Sequence, residues 1–291
     1  PGESVVTFAI IGGEMTTMGI GDRPVTGGQG DGDLLGIDSY AAALREFVAA
    51  CDTPLTIGLQ GDWGSGKTSL MNLIRVGLDA SSAPIWINTW KYAQLGDPET
   101  LFISVLQGIV DELTQYAKDK KKVSAAGWLL SAGGRVLKGV GKAGVVVASK
   151  AVEAQIGVGL NPSELLQQEG PGSIPPHQLA DLLKTSLAEI IDDVTINSKN
   201  SRVVLFVDDL DRIPPIRAVQ ILEALKNFLD VPRLVTLLAC DYGVISRGLK
   251  HRMGVSEEDL GRSFFDKIIQ VPFRMPVHAY QAENYVAELL R

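Results

Sequence analysis

The chain has 291 residues with 27 basic and 34 acidic side chains, a formal net charge of −7. Apolar residues make up 45% and charged residues 21%, enough to bury the core of one large α/β domain or two smaller ones, and the acidity argues against general coating of nucleic acid. Cys51 and Cys240 are the only cysteines; they lie far apart with no CxxC, which disfavours a disulfide framework or a zinc site and fits a reducing cytoplasm.

The chain opens at Pro1 without a basic segment before a sustained apolar stretch, so no signal peptide is read, and the N-terminus looks trimmed. Residues 1–36 form a lead-in whose last half, GIGDRPVTGGQGDGDLLG, is rich in glycine and aspartate and reads as a loop. Asp38 or Ser39 is expected to cap a helix running to about Ala50, with Leu44, Phe47 and Val48 as its apolar face. Thr53 to Gln60 reads as a short buried strand. A glycine loop follows, then a helix with Leu70, Leu73, Ile74 and Leu78 at helical spacing. PIWINT, Pro84 to Thr89, is a second strand. Trp86 and Trp90 flank Asn88 there and read as core packing. Pro98 and Thr100 open a further helix carrying Phe102, Leu106, Ile109 and Leu113 on one face.

Residues 118–172 differ from the rest. They begin KDKKK and continue with small residues, glycines and valines interspersed with Arg135, Lys138, Lys142 and Lys150. No uncharged apolar stretch approaches the ~20 residues a bilayer span requires. Three readings stand: a surface-packed helical hairpin or loosely ordered insertion, which is favoured; an amphipathic segment in peripheral contact with a membrane; and a partner-binding element. Alternating α/β patterning then resumes. Leu179, Leu183, Leu187 and Ile190 line a helix, and Arg202 to Val207 is a buried strand. Ile216, Val219, Leu222, Leu225 and Leu229 face inward from a helix over 215–229, Leu234 to Cys240 is another strand, and Lys267 to Val271 a shorter one. Strands alternating with helices predict a parallel sheet covered on both faces. The chain stops at Arg291 inside a helical pattern, as a fragment lacking a C-terminal region would. A single domain over 37–291, interrupted by the insertion 118–172, is the expected organisation.

Residues 61–68, GDWGSGKT, fit G-x-x-x-x-G-K-[ST] at every fixed position, between a strand and a helix. Glycines let the backbone wrap an anion with its N–H groups inward, and the following helix adds its N-terminal dipole. Lys67 supplies a positive charge near the β- and γ-phosphates, and Thr68 a hydroxyl for Mg2+. The phosphate-binding set is Gly61, Asp62, Trp63, Gly64, Ser65, Gly66, Lys67, Thr68 and Ser69. The second half is the acidic end of the strand Arg202 to Val207, Asp208-Asp209-Leu210-Asp211-Arg212. Asp208 is the candidate to hold Mg2+ through water, and Asp209 to orient or deprotonate the attacking water. Adjacent strand residues point to opposite faces, so Asp209 reaches the γ-phosphate only if the chain is turning there.

A loop motif before a long insertion and an acidic strand after it predict an additional-strand layout, with LVTLLAC between the two motif-bearing strands. Asp241, at the end of that strand, has two readings, a γ-phosphate sensor and a helix N-cap. The chain lacks NKxD and a DxxG after the acidic strand, which makes ATP the expected nucleotide. Arg262 and Arg252 precede KIIQV. Arg262 is the candidate to reach a neighbouring subunit's γ-phosphate, against a plain surface arginine. His177, His251 and His278 show no metal or triad spacing.

GDWGSGKTSL, WINTWKYA, VLFVDDLDR and FFDKIIQVPFRMP, in this order, resemble the KAP P-loop NTPases over roughly residues 22–276. The resemblance implies ATP binding and hydrolysis on an additional-strand, AAA-related three-layer fold. It also implies phosphate and Mg2+ binding by Gly61, Gly66, Lys67 and Thr68, and service of metal and water by Asp208 and Asp209. Many members carry transmembrane helices where this chain has its broken insertion, and bacterial members include phage-excluding proteins. The expected function is an ATPase that switches a homo-oligomer or multi-protein assembly. The alternative is a nucleotide-gated scaffold with little turnover. A nucleic-acid motor is disfavoured by charge and by the lack of a recognition motif, and a kinase by the lack of a lid or acceptor site.

Overall fold

The computed structural model describes residues 24–27, 33–95, 101–119, 176–195, 201–253 and 264–289. Its centre is a five-stranded sheet formed by β1 (Leu55–Gln60), β2 (Ser82–Asn88), β3 (Arg202–Asp208), β4 (Leu234–Cys240) and β5 (Val271–Arg274). The spatial order is β2-β3-β4-β1-β5 and every neighbouring pair is parallel. β4 therefore separates the loop-bearing β1 from the acidic β3, as the additional-strand expectation requires.

Helices cover both faces, because the strands are apolar on both. All seven residues of β4 are buried. From β3 and β4, Val204, Phe206, Val235, Leu237 and Ala239 join Ile57 and Leu59 of β1 in one core. That core is closed by α1 (Asp38–Ala50) and α2 (Lys67–Val76). Alternate residues, Val203, Leu205, Val207, Leu234 and Leu238, join a second core with α4 (Leu101–Asp119), α5 (Pro176–Thr195), α6 (Pro215–Phe228) and α7 (Tyr242–Met253). The period of two in a parallel strand thus divides one apolar run between two helical layers. α3 (Thr89–Leu95), a short helix absent from the sequence reading, follows β2 directly. A final helix, α8 (Ala282–Leu289), follows β5.

Several expectations shift. α1 is capped by neither Asp38 nor Ser39: its N-cap is Ile37 with no side-chain cap. The carboxylate of Asp33 instead accepts the Asp38 N–H at 2.7 Å. Its buried face is Ala41, Leu44 and Val48, and Phe47 stays 40% exposed. α2 ends at Val76, so Leu78 packs on its core from beyond the helix. α4 buries Leu101, Val105, Ile109, Leu113 and Ala117; Pro98 and Thr100, and the side chains of Phe102 and Leu106, lie outside the described residues. In α5, Leu187 and Ile190 are buried as expected, while the side chains of Leu179 and Leu183 lie outside the description. Ile216 is exposed in the first turn of α6, ahead of the first packed residue, Ala218.

The strand expected at Lys267 to Val271 begins only at Val271. Lys267 and Ile268 finish a short helical segment, 264–268. A short apolar run fits either state, and tertiary contacts decide it. Gln270 bridges to β1 through its backbone and side chain, both bonded to Thr56. Ile269 fills the space over Gly58 that a Cβ there would occupy. Of the insertion, 118–119 end α4 and 120–172, on which its three readings fall, lie outside the described residues. Among the described residues no helix is long and apolar enough to cross a membrane.

Trp86 confirms its core reading by stacking on fully buried Phe206 at 5.4 Å between centroids. Phe206→Ala is expected to cost about 3–5 kcal/mol of stability, read as a fall in the urea midpoint without a change in slope.

Candidate nucleotide site

β1 delivers the chain at Gln60 to the loop 61–66, and α2 begins at Lys67. Gly66 is the helix N-cap at φ 85°, a left-handed conformation that disfavours any Cβ. At Gly61 a Cβ would collide with Ser65 Oγ and with Met275. The loop is therefore drawn in tightly enough that only glycine fits. Lys67, Thr68 and Ser69 occupy the first turn of α2, where backbone N–H groups have no intrahelical acceptor. Ser65 Oγ is buried with no hydrogen-bond partner among the described residues. A concave loop with spare N–H groups and an unpartnered hydroxyl fits an anion.

Lys67 is only 7% exposed. Its Nζ donates to the carbonyls of Gly61 at 2.7 Å and Asp62 at 3.0 Å, and lies 3.0 Å from Asp211 Oδ2. The Thr68 side chain lies beside the Asp208 carboxylate and favours its charged form. The two motifs, some 140 positions apart in sequence, thus touch through both Lys67 and Thr68. Asp208 ends β3 and is 4% exposed. Burial pushes its carboxyl up to about 6, and the Asp209 carboxylate adds to this; hydrogen bonds from the Asp209 N–H and Thr68 work the other way. Among the described residues no group of three or more His, Cys, Asp or Glu could hold a metal ion. One hydroxyl and one carboxylate side by side fit Mg2+, which completes its octahedron with phosphate and water oxygens.

Asp209 leaves the strand at φ 61° and ψ 26°, the turn that lets two adjacent acids serve one site. Its N–H donates to Asp208 Oδ1 at 2.9 Å. Asn88 Nδ2, from the end of β2, donates to Oδ2 at 2.6 Å, and Arg212 Nε lies 2.6 Å from Oδ1. Thr89 Oγ1 donates to the Asp208 carbonyl at 2.8 Å and fixes α3 against the same strand end. Asp241 caps α7: its Oδ1 accepts the N–H groups of Gly243 at 2.7 Å and Val244 at 3.3 Å. It also lines an open cavity of about 350 Å³ with Trp63, Trp90, Asp211, Arg212 and Val244. Its cap reading is thereby realised, beside the site that the sensor reading needs.

Other expected residues are placed differently. The Ser69 hydroxyl accepts the Val25 N–H at 3.1 Å. Trp63 is 74% exposed and Trp90 38%, on the cavity rim, and Trp90 is not a core residue. Arg262 lies outside the described residues, as does the side chain of Arg252. Cys240, buried beneath the loop, has its thiol pushed up to about 12 by desolvation, which removes it as a nucleophile. Sequence reasoning missed Asp211, Asn88 and Tyr280. Asp211 stood within the quoted acidic motif, and Asn88 between two tryptophans. Tyr280 donates its hydroxyl to the Ser65 carbonyl at 2.6 Å from 215 positions away, and no sequence signal pointed to it.

A glycine loop between β1 and α2, an acidic β3 end facing it and β4 between them define a P-loop NTPase domain of the additional-strand type. A family model described as the KAP family P-loop domain matches residues 37–289, and the chain belongs to that family. The "Phage T7 exclusion protein" of Escherichia coli (strain K12) is 27% identical over 241 residues, 76% of this chain. The chain spans 30% of that relative's length. A solved structure, "Structure of the Aeropyrum Pernix ORC2 protein (ADPNP-ADP complexes)", has a TM-score of 0.39 and 12% identity, covering 82% of this chain and 48% of that one. A likeness at that score carries no functional weight.

Asp208 binds its proton more tightly in the folded chain than in the unfolded one. It detracts nothing below about pH 4 and progressively more as pH rises through about 6. Asp208→Asn is therefore expected to raise stability at pH 8 by about 1–3 kcal/mol without nucleotide. The gain should vanish at pH 4, as denaturant titrations at the two pH values would read.

Proposed function

We propose that this domain binds ATP with Mg2+ and hydrolyses it, and that turnover switches the conformation of a larger assembly. The observation that carries this reading is the contact between the two motifs: Lys67 against Asp211 and Thr68 against Asp208, across β4. The triphosphate would lie on the N–H groups of the loop 61–66 and the first turn of α2, with Lys67 at its end. Thr68 and Asp208 would hold Mg2+, which supplies charge neutralisation for the phosphate oxygens. Asp209 is the group able to orient a water and accept its proton, held at a fixed angle by the turn and by Asn88. ATP is preferred because the chain carries no guanine-reading motif. ATP supply makes the cytoplasm the natural setting.

The similarity to a phage exclusion protein supports a role in exclusion of phage, with output from parts of the assembly beyond this domain. One observation favours a slower, scaffold-like mode: both Asp209 oxygens are engaged, by Asn88 and Arg212.

Lys67→Ala is expected to weaken Mg2+-ATP binding at least about tenfold. Asp209→Asn should keep binding and lower turnover roughly 10²-fold or more. Isothermal titration and phosphate release measure the two. Tight binding with no wild-type turnover, alone or in the assembled complex, would favour the scaffold. Hydrolysis indifferent to Lys67→Ala would refute the site. For the biological role, cells expressing the wild-type protein should plate phage less efficiently than cells expressing Lys67→Ala.

A further inference from the structure

The 3-10 turn after β3, Leu210–Arg212, carries two ion pairs, and each engages one working group of the proposed site. Asp211 Oδ2 lies 3.0 Å from Lys67 Nζ, with side-chain exposures of 8% and 7%. Arg212 Nε lies 2.6 Å from Asp209 Oδ1, the guanidinium 42% exposed. The two prongs are consecutive residues of one turn, next to fully buried Leu210, so displacing the first moves the second.

We infer that this turn is a nucleotide-released latch: Asp211 holds Lys67 and Arg212 restrains Asp209 until a triphosphate expels Asp211 and the shifting turn frees Asp209. The inference rests on reading the loop as a phosphate site and Asp209 as the group that orients water.

The charges set the direction of release. An ammonium has three donors, and those of Lys67 meet Gly61 O, Asp62 O and Asp211. A phosphate oxygen reaches Lys67 only by displacing one of these partners. Asp211 alone among them is an anion, so it is the one a triphosphate repels. With only 8% of its side chain exposed, Asp211 is little screened by solvent from that repulsion. The outer pair is the opposite case. Arg212 sits at the solvent edge, where an ion pair holds weakly and releases readily. Its guanidinium carbon already lies 5.6 Å from the centre of the Trp90 ring. That face can keep the cation after Asp209 is lost. The latch thus has a strong, buried trigger and a weak, exposed restraint. Arg212 is a positioning residue here, acting through Asp209.

The test uses the whole chain and a fluorescent, nonhydrolysable ATP analogue with Mg2+, alongside single-turnover hydrolysis of ATP. Asp211→Asn removes the competing anion and is expected to tighten analogue binding roughly three- to tenfold. Arg212→Gln should leave affinity within about twofold and raise the hydrolysis rate several-fold, with Arg212→Lys partly restoring the restraint. Trp90 emission, isolated by difference from Trp90→Phe, gives a readout independent of turnover. It should change when the analogue binds wild type, and should already be changed in Arg212→Gln without it. Unaltered or weaker binding by Asp211→Asn overturns the latch, as does slower hydrolysis by Arg212→Gln at unchanged affinity. Where no variant turns over, Trp90 emission that ignores bound analogue overturns it too. If wild type and Lys67→Ala both fail to bind, the phosphate-site reading itself has fallen and the latch with it. Normal wild-type binding with either adverse variant result removes the latch alone.

Discussion

The structure turns on a buried ammonium. Lys67 lies almost wholly inside the protein, and a buried cation is tolerable only with its donors matched and a counter-charge in contact. Gly61 and Asp62 bring carbonyls because the loop doubles back over the lysine, and it can double back because Gly61 has no side chain to meet Ser65 and Met275. Asp211 brings the counter-charge because β3 and its following turn stop beside the loop. That in turn requires β4 to be apolar on both faces and to lie between the two strands. The sheet order, the glycines and the acidic motif are thus parts of one electrostatic arrangement.

The same arrangement explains why Asp208 and Asp209 behave differently though adjacent. Asp208 ends the strand and faces α2, where burial disfavours its charge and Thr68 partly offsets the cost. Asp209 has turned into a left-handed conformation and meets Asn88 and Arg212 instead. One peptide of backbone geometry separates a buried carboxylate beside α2 from one turned toward Asn88 and Arg212. The rim beyond them, with Trp63, Trp90, Asp241 and Arg212, is open to solvent.

Both flanks of the domain also reach the loop. Val25 in the lead-in donates to Ser69 and accepts from Asn72, both on α2. After β5, Met275 packs on Gly61 while its N–H donates to the Gln60 carbonyl, and Tyr280 donates to the Ser65 carbonyl. Burial raises the Tyr280 phenol above its ordinary range, which keeps it a donor.

How much was legible follows from which interactions are local. The glycine loop, the helix after it, the buried strands and the intervening place of LVTLLAC all follow from short-range pattern: period, glycine chemistry and apolar runs act within a few residues. The sequence by itself determined the phosphate loop, the acidic strand end and the parallel sheet that joins them. Only the tertiary structure decided that Asp211 partners Lys67, that Asn88 and Arg212 bind Asp209, that Ser69 turns to Val25 and that Tyr280 reaches Ser65. It also decided that KIIQ is not strand and that Phe47, Ile216 and Trp90 stay partly in water. Each of these depends on which distant groups the sheet order brings within hydrogen-bond or packing reach, and a side chain's charge or polarity does not encode its partner's address.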